Sequence, residues 1–169
     1  MSSAARLTGI CREIERLTKE GRSVVVVAWT VPALDELVRE MEPHKPVLCR
    51  DLFGLDALRA QLARAGSVSI ALGNVLSSDV KPVMSVPAEI LVCGRNDLRA
   101  ADDAIVGFAD LIGANARVAF HVSLDDPLIK HYVGTLKPLL ARLDVAEDEA
   151  ISSPMVTRAI GQAQSKKGS

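Results

Sequence analysis

SVVVVAW, Ser23–Trp29, is the stretch on which the fold turns. Four consecutive valines make a β-branched run without polar alternation, so a strand built from them carries apolar side chains on both faces. Such a strand needs a covering layer on each side, the situation of a central strand in a parallel sheet. Upstream, Leu7, Ile10, Cys11, Ile14 and Leu17 recur at helical spacing between Ala4 and Lys19, and Gly21 caps the helix. Downstream, Pro32 opens a helix over Ala33–Met41, HKPVLC (44–49) supplies a short strand, and Gly54–Ala65 is amphipathic through Leu55, Leu58 and Leu62. SVSIAL (67–72) is a third strand. The turn-rich stretch GNVLSSDVKPVMSVPAE (73–89) then leads into ILVC (90–93), a helix from Leu98 to Ile112, and RVAFHV (117–122).

This alternation predicts a doubly wound parallel sheet of about five strands, with helices on both faces and right-handed crossovers. After Asp126 the pattern changes. PLIKHYVGTLKPLLARLD (127–144) reads as short helices, VAEDEAISS (145–153) as an acidic connector, and PMVTRAIGQAQSKK (154–167) as a helix entered through Ser153 and Pro154. The expected organisation is an α/β domain over residues 1–126 and a helical extension over 127–169 packed on the same domain, with no internal repeat.

Composition narrows the function classes. A length of 169 residues fits one domain with a sizeable core. Lys and Arg (20) nearly cancel Asp and Glu (21), and aromatics are 3%, which leaves neither the field nor the stacking rings that a nucleic-acid partner requires. No apolar run approaches the roughly 20 residues of a spanning helix, and the amino terminus does not read as a secretory signal, so the expected location is the cytoplasm. Cys11, Cys49 and Cys93 are scattered, without metal-ligand spacing, and read as small apolar side chains; no metal or cofactor is expected.

The individual chemical groups admit mostly structural readings. Asn74, Ser77, Ser78 and Asp79 follow a strand, where open α/β sheets bind ligands, and read either as contacts to a small polar ligand or as an ordinary polar turn. No Gly-x-Gly-x-x-Gly follows any strand. Cys49 beside Arg50 and Asp51 is a candidate thiolate set against a plain strand-end cysteine. His121 sits in an otherwise apolar strand, Asp125 and Asp126 suit a helix cap at Pro127, and Glu147–Glu149 suit a solvated connector.

The carboxyl-terminal third carries a resemblance. FHVSLDDPLI (120–129), then LLARLDVAEDEAISSPMVTRAIGQAQSK (139–166), resembles SecA, the ATPase motor of preprotein translocation, where the chain leaves its second motor domain. The matching residues are Ser123, Leu124, Asp125 and Asp126; Arg142 and Leu143; Glu147, Asp148 and Glu149; and Val156, Thr157, Arg158, Ala159, Ile160, Ala163 and Gln164. Upstream, EGRSVVVVAWTVPALDELVREM, SVSIALGNVLSSDV and EILVCGRNDLRAADDAIVGFADLIG follow that domain's order more loosely. The resemblance implies a RecA-like domain, the second half of a helicase-type motor, with the start of the helical region that follows.

The resemblance also implies what is missing. The family's Gln-Leu-Arg-Gly-Arg-x-Gly-Arg pattern, counted back from Ser123, places its glutamine at Ala104 and its nucleotide-facing arginines at Val106, Phe108 and Leu111, while Gly107 and Gly113 remain. An apolar side chain supplies neither the charge nor the planar donors of a guanidinium. The family's Gly-Arg-Gly-Thr-Asp loop becomes Val75, Leu76, Ser77, Ser78 and Asp79, without the arginine and both glycines, and no Gly-x-x-x-x-Gly-Lys-Ser/Thr occurs anywhere. The expectation is a non-catalytic relative that binds no nucleotide and acts by protein contact, with a protein partner or a second copy. Val106, Phe108 and Leu111 are then either an interaction surface or core. The alternative is a subunit of a composite ATPase, in which a partner chain supplies the phosphate loop and Arg95, Arg99 and Arg117 reach across; a third is a small-ligand function at Asn74–Asp79.

Overall fold

The computed structural model describes residues 3–76, 87–113, 115–123, 126 and 164–165. Ser77, Ser78, Asp79, Asp125 and nearly all of the expected extension at 127–169 lie outside the described residues. In chain order come α1 (Ser3–Lys19), β1 (Ser23–Ala28), α2 (Val31–Glu40), a 3₁₀ turn (Glu42–His44), β2 (Val47–Cys49), a second 3₁₀ turn (Leu52–Gly54), α3 (Leu55–Leu62), β3 (Val68–Leu72), β4 (Ala88–Cys93), α4 (Arg99–Ile112) and β5 (Arg117–His121). The five strands form one sheet in the order β2-β3-β1-β4-β5, and every neighbouring pair is parallel. This is the α/β, RecA-like arrangement that the sequence predicts.

The valine run sits in the middle of it. Val24 and Val26 lie opposite Val68 and Ile70 of β3, while Val25 and Val27 lie opposite Ile90 and Val92 of β4. All six residues of β1 are buried, and burying one of its valine side chains is worth about 1.5–3 kcal/mol relative to leaving it exposed. The covering layers come from the helices. Leu7, Ile10, Ile14 and Leu17 of α1, Leu34 and Leu37 of α2, Leu55, Leu58 and Leu62 of α3, and Ile105, Phe108, Ala109 and Ile112 of α4 are their buried positions. α1 packs beside α2. Because the chain moves outward from β1 to β2 and then back to β3, right-handed crossovers require α2 and α3 on opposite faces.

Two local differences from the sequence reading have simple causes. α2 begins at Val31 rather than Ala33, since Thr30 is the cap: its extended backbone (φ −133°, ψ 155°) lets the hydroxyl accept from Ala33 N, with Pro32 tolerated in the first turn. β2 is only three residues long because Pro46 has no N–H for the ladder and Lys45 adopts a left-handed conformation (φ 48°).

At the amino-terminal edge of the sheet, Arg22 crosslinks three segments. Its Nη2 donates to Ala88 O (2.8 Å) and Asn115 O (2.9 Å) and lies 3.1 Å from Glu89 Oε2, with both side chains about nine-tenths buried. Arg117, at the start of β5, approaches the same carboxylate at 3.8 Å.

Candidate functional site

In an open parallel sheet, ligands bind outside the carboxyl ends of the strands, where connections from adjacent strands depart to opposite sides. Here β1 leads through α2 toward β2, and β4 leads through α4 toward β5, so the switch point lies between the carboxyl ends of β1 and β4. Trp29 occupies it. The indole Nε1 donates to Gly94 O at the end of β4 (3.2 Å), and the ring lies over Gly73 at the end of β3. A Cβ built on Gly73 would overlap the ring, so glycine is what allows the indole to lie there. One side chain thus bridges the ends of three neighbouring strands. The signal for this residue was present in the sequence: Trp29 is the single tryptophan and directly follows the central strand.

Beyond Trp29 the carboxyl edge is closed by polar contacts within the chain. Arg6 of α1 pairs with Asp126, whose other oxygen accepts from Ser123 N (2.9 Å). The pair lies beside Gly94, where the backbone is left-handed (φ 88°) and an added Cβ would come to 3.2 Å from Asp126 Oδ2. At the start of α4, Arg95 stacks over the Phe120 ring (3.8 Å to its centroid) and reaches Asp102 at 3.4 Å. Asp102 is buried. Its Oδ1 accepts from Asn96 N (2.9 Å), and its Oδ2 accepts from Gln164 Nε2 (2.6 Å), which also donates to Asn96 O (2.8 Å). Sequence reasoning had no access to this cluster, because Asp102 and Gln164 are far apart in the chain and carry no shared motif spacing.

Among the described residues, the sequence-selected positions do not form one site. Asn74 is exposed after β3, whereas Val75 and Leu76, which follow it, are buried in the core. Ala104, Val106, Phe108 and Leu111 all lie on α4 rather than on a loop. At about 100° per residue, Val106 lies across the helix from Phe108 and Leu111. Phe108 is fully buried, Leu111 is half-buried, Ala104 is exposed, and Val106 is 42% exposed. Of the two readings, surface or core, Phe108 takes the core, because its position borders the inward stripe of Ile105, Ala109 and Ile112, while Val106 faces outward. Nor do the three flanking arginines converge. Arg95 is held by Phe120 and Asp102, Arg117 lies at the opposite edge of the sheet, and Arg99 is exposed at the start of α4 beside Asp103 (3.8 Å).

The thiols are quiet. Burial pushes Cys49 up to about 11, with Asp51 adding to the effect, and burial likewise pushes Cys93 up to about 11, so neither is a thiolate near neutral pH. Cys49 is a buried strand-end side chain, and Cys11 and Cys93 are partly buried. Burial also holds His121 below its ordinary range, against the opposing pull of Glu13. Among the described residues no group of three or more His, Cys, Asp or Glu side chains is arranged to hold a metal ion, and no helix is long and apolar enough to cross a membrane.

What the carboxyl edge does offer is apolar surface. Val31 after β1, Leu52 and Phe53 after β2, and Leu98 after β4 are exposed, with Phe53 94% accessible. These are four of the five large exposed hydrophobic side chains among the described residues, the fifth being Val106.

No family model matches the chain. Individual proteins do. It is 26% identical over 178 aligned positions to the protein translocase subunit SecA of Aliarcobacter butzleri, an alignment that takes in 98% of this chain and 20% of that protein. It is 28% identical over 172 positions to SecA of Campylobacter jejuni, covering 95% of this chain and 20% of the relative. Over a shorter stretch of 73 positions, 43% of the chain and 8% of the relative, it is 37% identical to SecA of Dechloromonas aromatica. The chain thus spans about one fifth of the length of the first two relatives. Together with the parallel α/β fold, these matches make the chain a SecA-related sequence over nearly its whole length.

Proposed function

We propose that the chain is a catalytically silent counterpart of the second motor domain of SecA and that it works as a protein-interaction module. The observation that carries this reading is Trp29. An indole seated across the ends of β1, β3 and β4, and hydrogen-bonded to Gly94 O, occupies the crevice in which a sheet of this kind takes its ligand. The exposed Val31, Leu52, Phe53 and Leu98 along the same edge agree with it, since they offer apolar side chains of the kind that suit a polypeptide partner. In this reading the protein acts in the cytoplasm, in contact with another polypeptide or a second copy of itself.

Calorimetric titration with ATP and ADP, with and without magnesium and up to millimolar nucleotide, tests it. No heat and an unchanged melting temperature are expected. The second reading, a subunit completing a composite ATPase, draws on Arg99, whose guanidinium is exposed at the start of α4. Saturable heat that disappears in the Arg99→Ala variant would replace the first reading by the second.

A further inference from the structure

The exposed apolar side chains of the carboxyl edge stand in a row whose order the sheet sets. Leu52 and Phe53 follow β2, Val31 follows β1 and Leu98 follows β4, so at about 4.8 Å per strand the row spans roughly 14 Å. Its midpoint falls between β3 and β1, where Trp29, itself partly exposed, lies over Gly73. With accessible fractions between 50% and 94%, the four residues present on the order of 500 Å² of surface. That matches the apolar share, a little over half, of the roughly 800 Å² that one partner gives to a standard interface. The charges beside the row complement each other across its centre. Asp56, after Phe53 at the β2 end, has a 91% exposed side chain, and Arg99, after Leu98 at the β4 end, a 71% exposed one. The crossovers through α3 and α4 run in the same direction along the sheet, so right-handed connections put both helices, and with them both charges, on one face.

We propose that the carboxyl edge is the contact face of a homodimer, with a two-fold axis normal to the sheet and passing beside the Trp29–Gly73 contact. This rests on the protein-interaction reading and names the partner as a second copy of the chain. Such an axis reverses the row and leaves each face of the sheet on its own side. Leu52 and Phe53 of one copy then meet Leu98 of the other, Asp56 faces the other copy's Arg99, and the two indoles come together at the centre. A central aromatic pair, apolar side chains around it and paired charges at the rim form the anatomy of a stable interface. A single chain supplies both halves because the row is apolar at both ends and carries opposite charges there.

Sedimentation velocity on the full chain, up to about 200 μM, is the first test, since interfaces of standard size hold at micromolar concentration or below. A monomer–dimer equilibrium is expected, weakened about tenfold or more by Phe53→Glu and by Leu98→Glu, with melting curves showing that both variants fold. A chain that stays monomeric throughout would overturn the proposal, as would a dimer that both variants leave intact. The second test fixes the geometry. Phe53→Cys and Leu98→Cys proteins, mixed and treated with oxidised glutathione, are expected to give a dimer whose 53–98 disulfide is located by mass spectrometry. Phe53→Cys alone is expected to give none, because the axis holds the two copies of position 53 roughly 14 Å apart, beyond the roughly 7 Å that a disulfide spans between α-carbons. A 53–53 disulfide formed as readily as the mixed one would overturn the axis. The underlying reading fails separately: a monomer that gives no heat with ATP defeats this contact alone, and a dimer that gives saturable heat defeats the catalytic silence alone.

Discussion

Phe108 and Val106 stand two residues apart on α4 and have opposite fates, one fully buried and one half in solvent. Phe108→Ala is expected to cost about 3–5 kcal/mol in chemical denaturation, as for large aromatic truncations in packed cores. Val106→Arg should leave stability within about 0.5 kcal/mol, because the side chain points outward. Restoring the arginine of the SecA pattern at 106 is therefore tolerable, while at 108 it would bury a cation without a partner. That a helix runs through these positions was legible in the sequence, but their orientation was not, because only the packing of Ile105, Ala109 and Ile112 fixes which way the helix turns. His121 supplies a residue-scale pH effect. Its folded pKa lies below the ordinary value of 6.5, so the unfolded chain binds the proton more tightly, and the stability it contributes is present above 6.5 and lost as pH falls toward the folded value. Thermal melts of the wild type should fall below that pH more steeply than those of His121→Gln.

Between elements, the decisive contact is that of Trp29 with the end of β3. Gly73→Ala adds one methyl group where the indole now lies and should destabilise by about 1–3 kcal/mol. Trp29→Ala removes the obstacle, so the double variant should be more stable than the sum of the single effects implies, and urea titrations of the four proteins measure that coupling. The element boundaries show where sequence reasoning reaches its limit. The helices and strands were visible in periodicity and β-branched runs, and most ends fell within two residues. β2 shortened because a left-handed Lys45 and a donor-less Pro46 precede it, a backbone fact that hydrophobic pattern does not encode. The Trp29 contact was hidden for a different reason: its partners, Gly73 and Gly94, are brought to it only by the order in which the strands lie.

For the molecule as a whole, that order is held at one edge by Arg22, which joins β1, β4 and the turn before β5. Arg22→Ala would leave Glu89, among the described residues, with the distant Arg117 and should cost about 3–5 kcal/mol, whereas Arg22→Met with Glu89→Leu should recover most of it; equilibrium unfolding distinguishes the two. The parallel sheet was legible from the unbroken valine run, but the neighbours of each strand were not, since alternation alone does not say on which side of β1 a later strand is laid. The strand order β2-β3-β1-β4-β5 also dictates a timetable. β1 is translated before its partners, and both ladders it enters wait for strands that leave the ribosome much later, β3 at Val68 and β4 at Ala88. Until then four adjacent valines remain without a sheet, the kind of short, uncharged β-branched segment that seeks another chain. Recovery of native protein on refolding should accordingly fall with protein concentration, and Val25→Lys, on the β1 strand, would trade that hazard for a sheet that no longer closes.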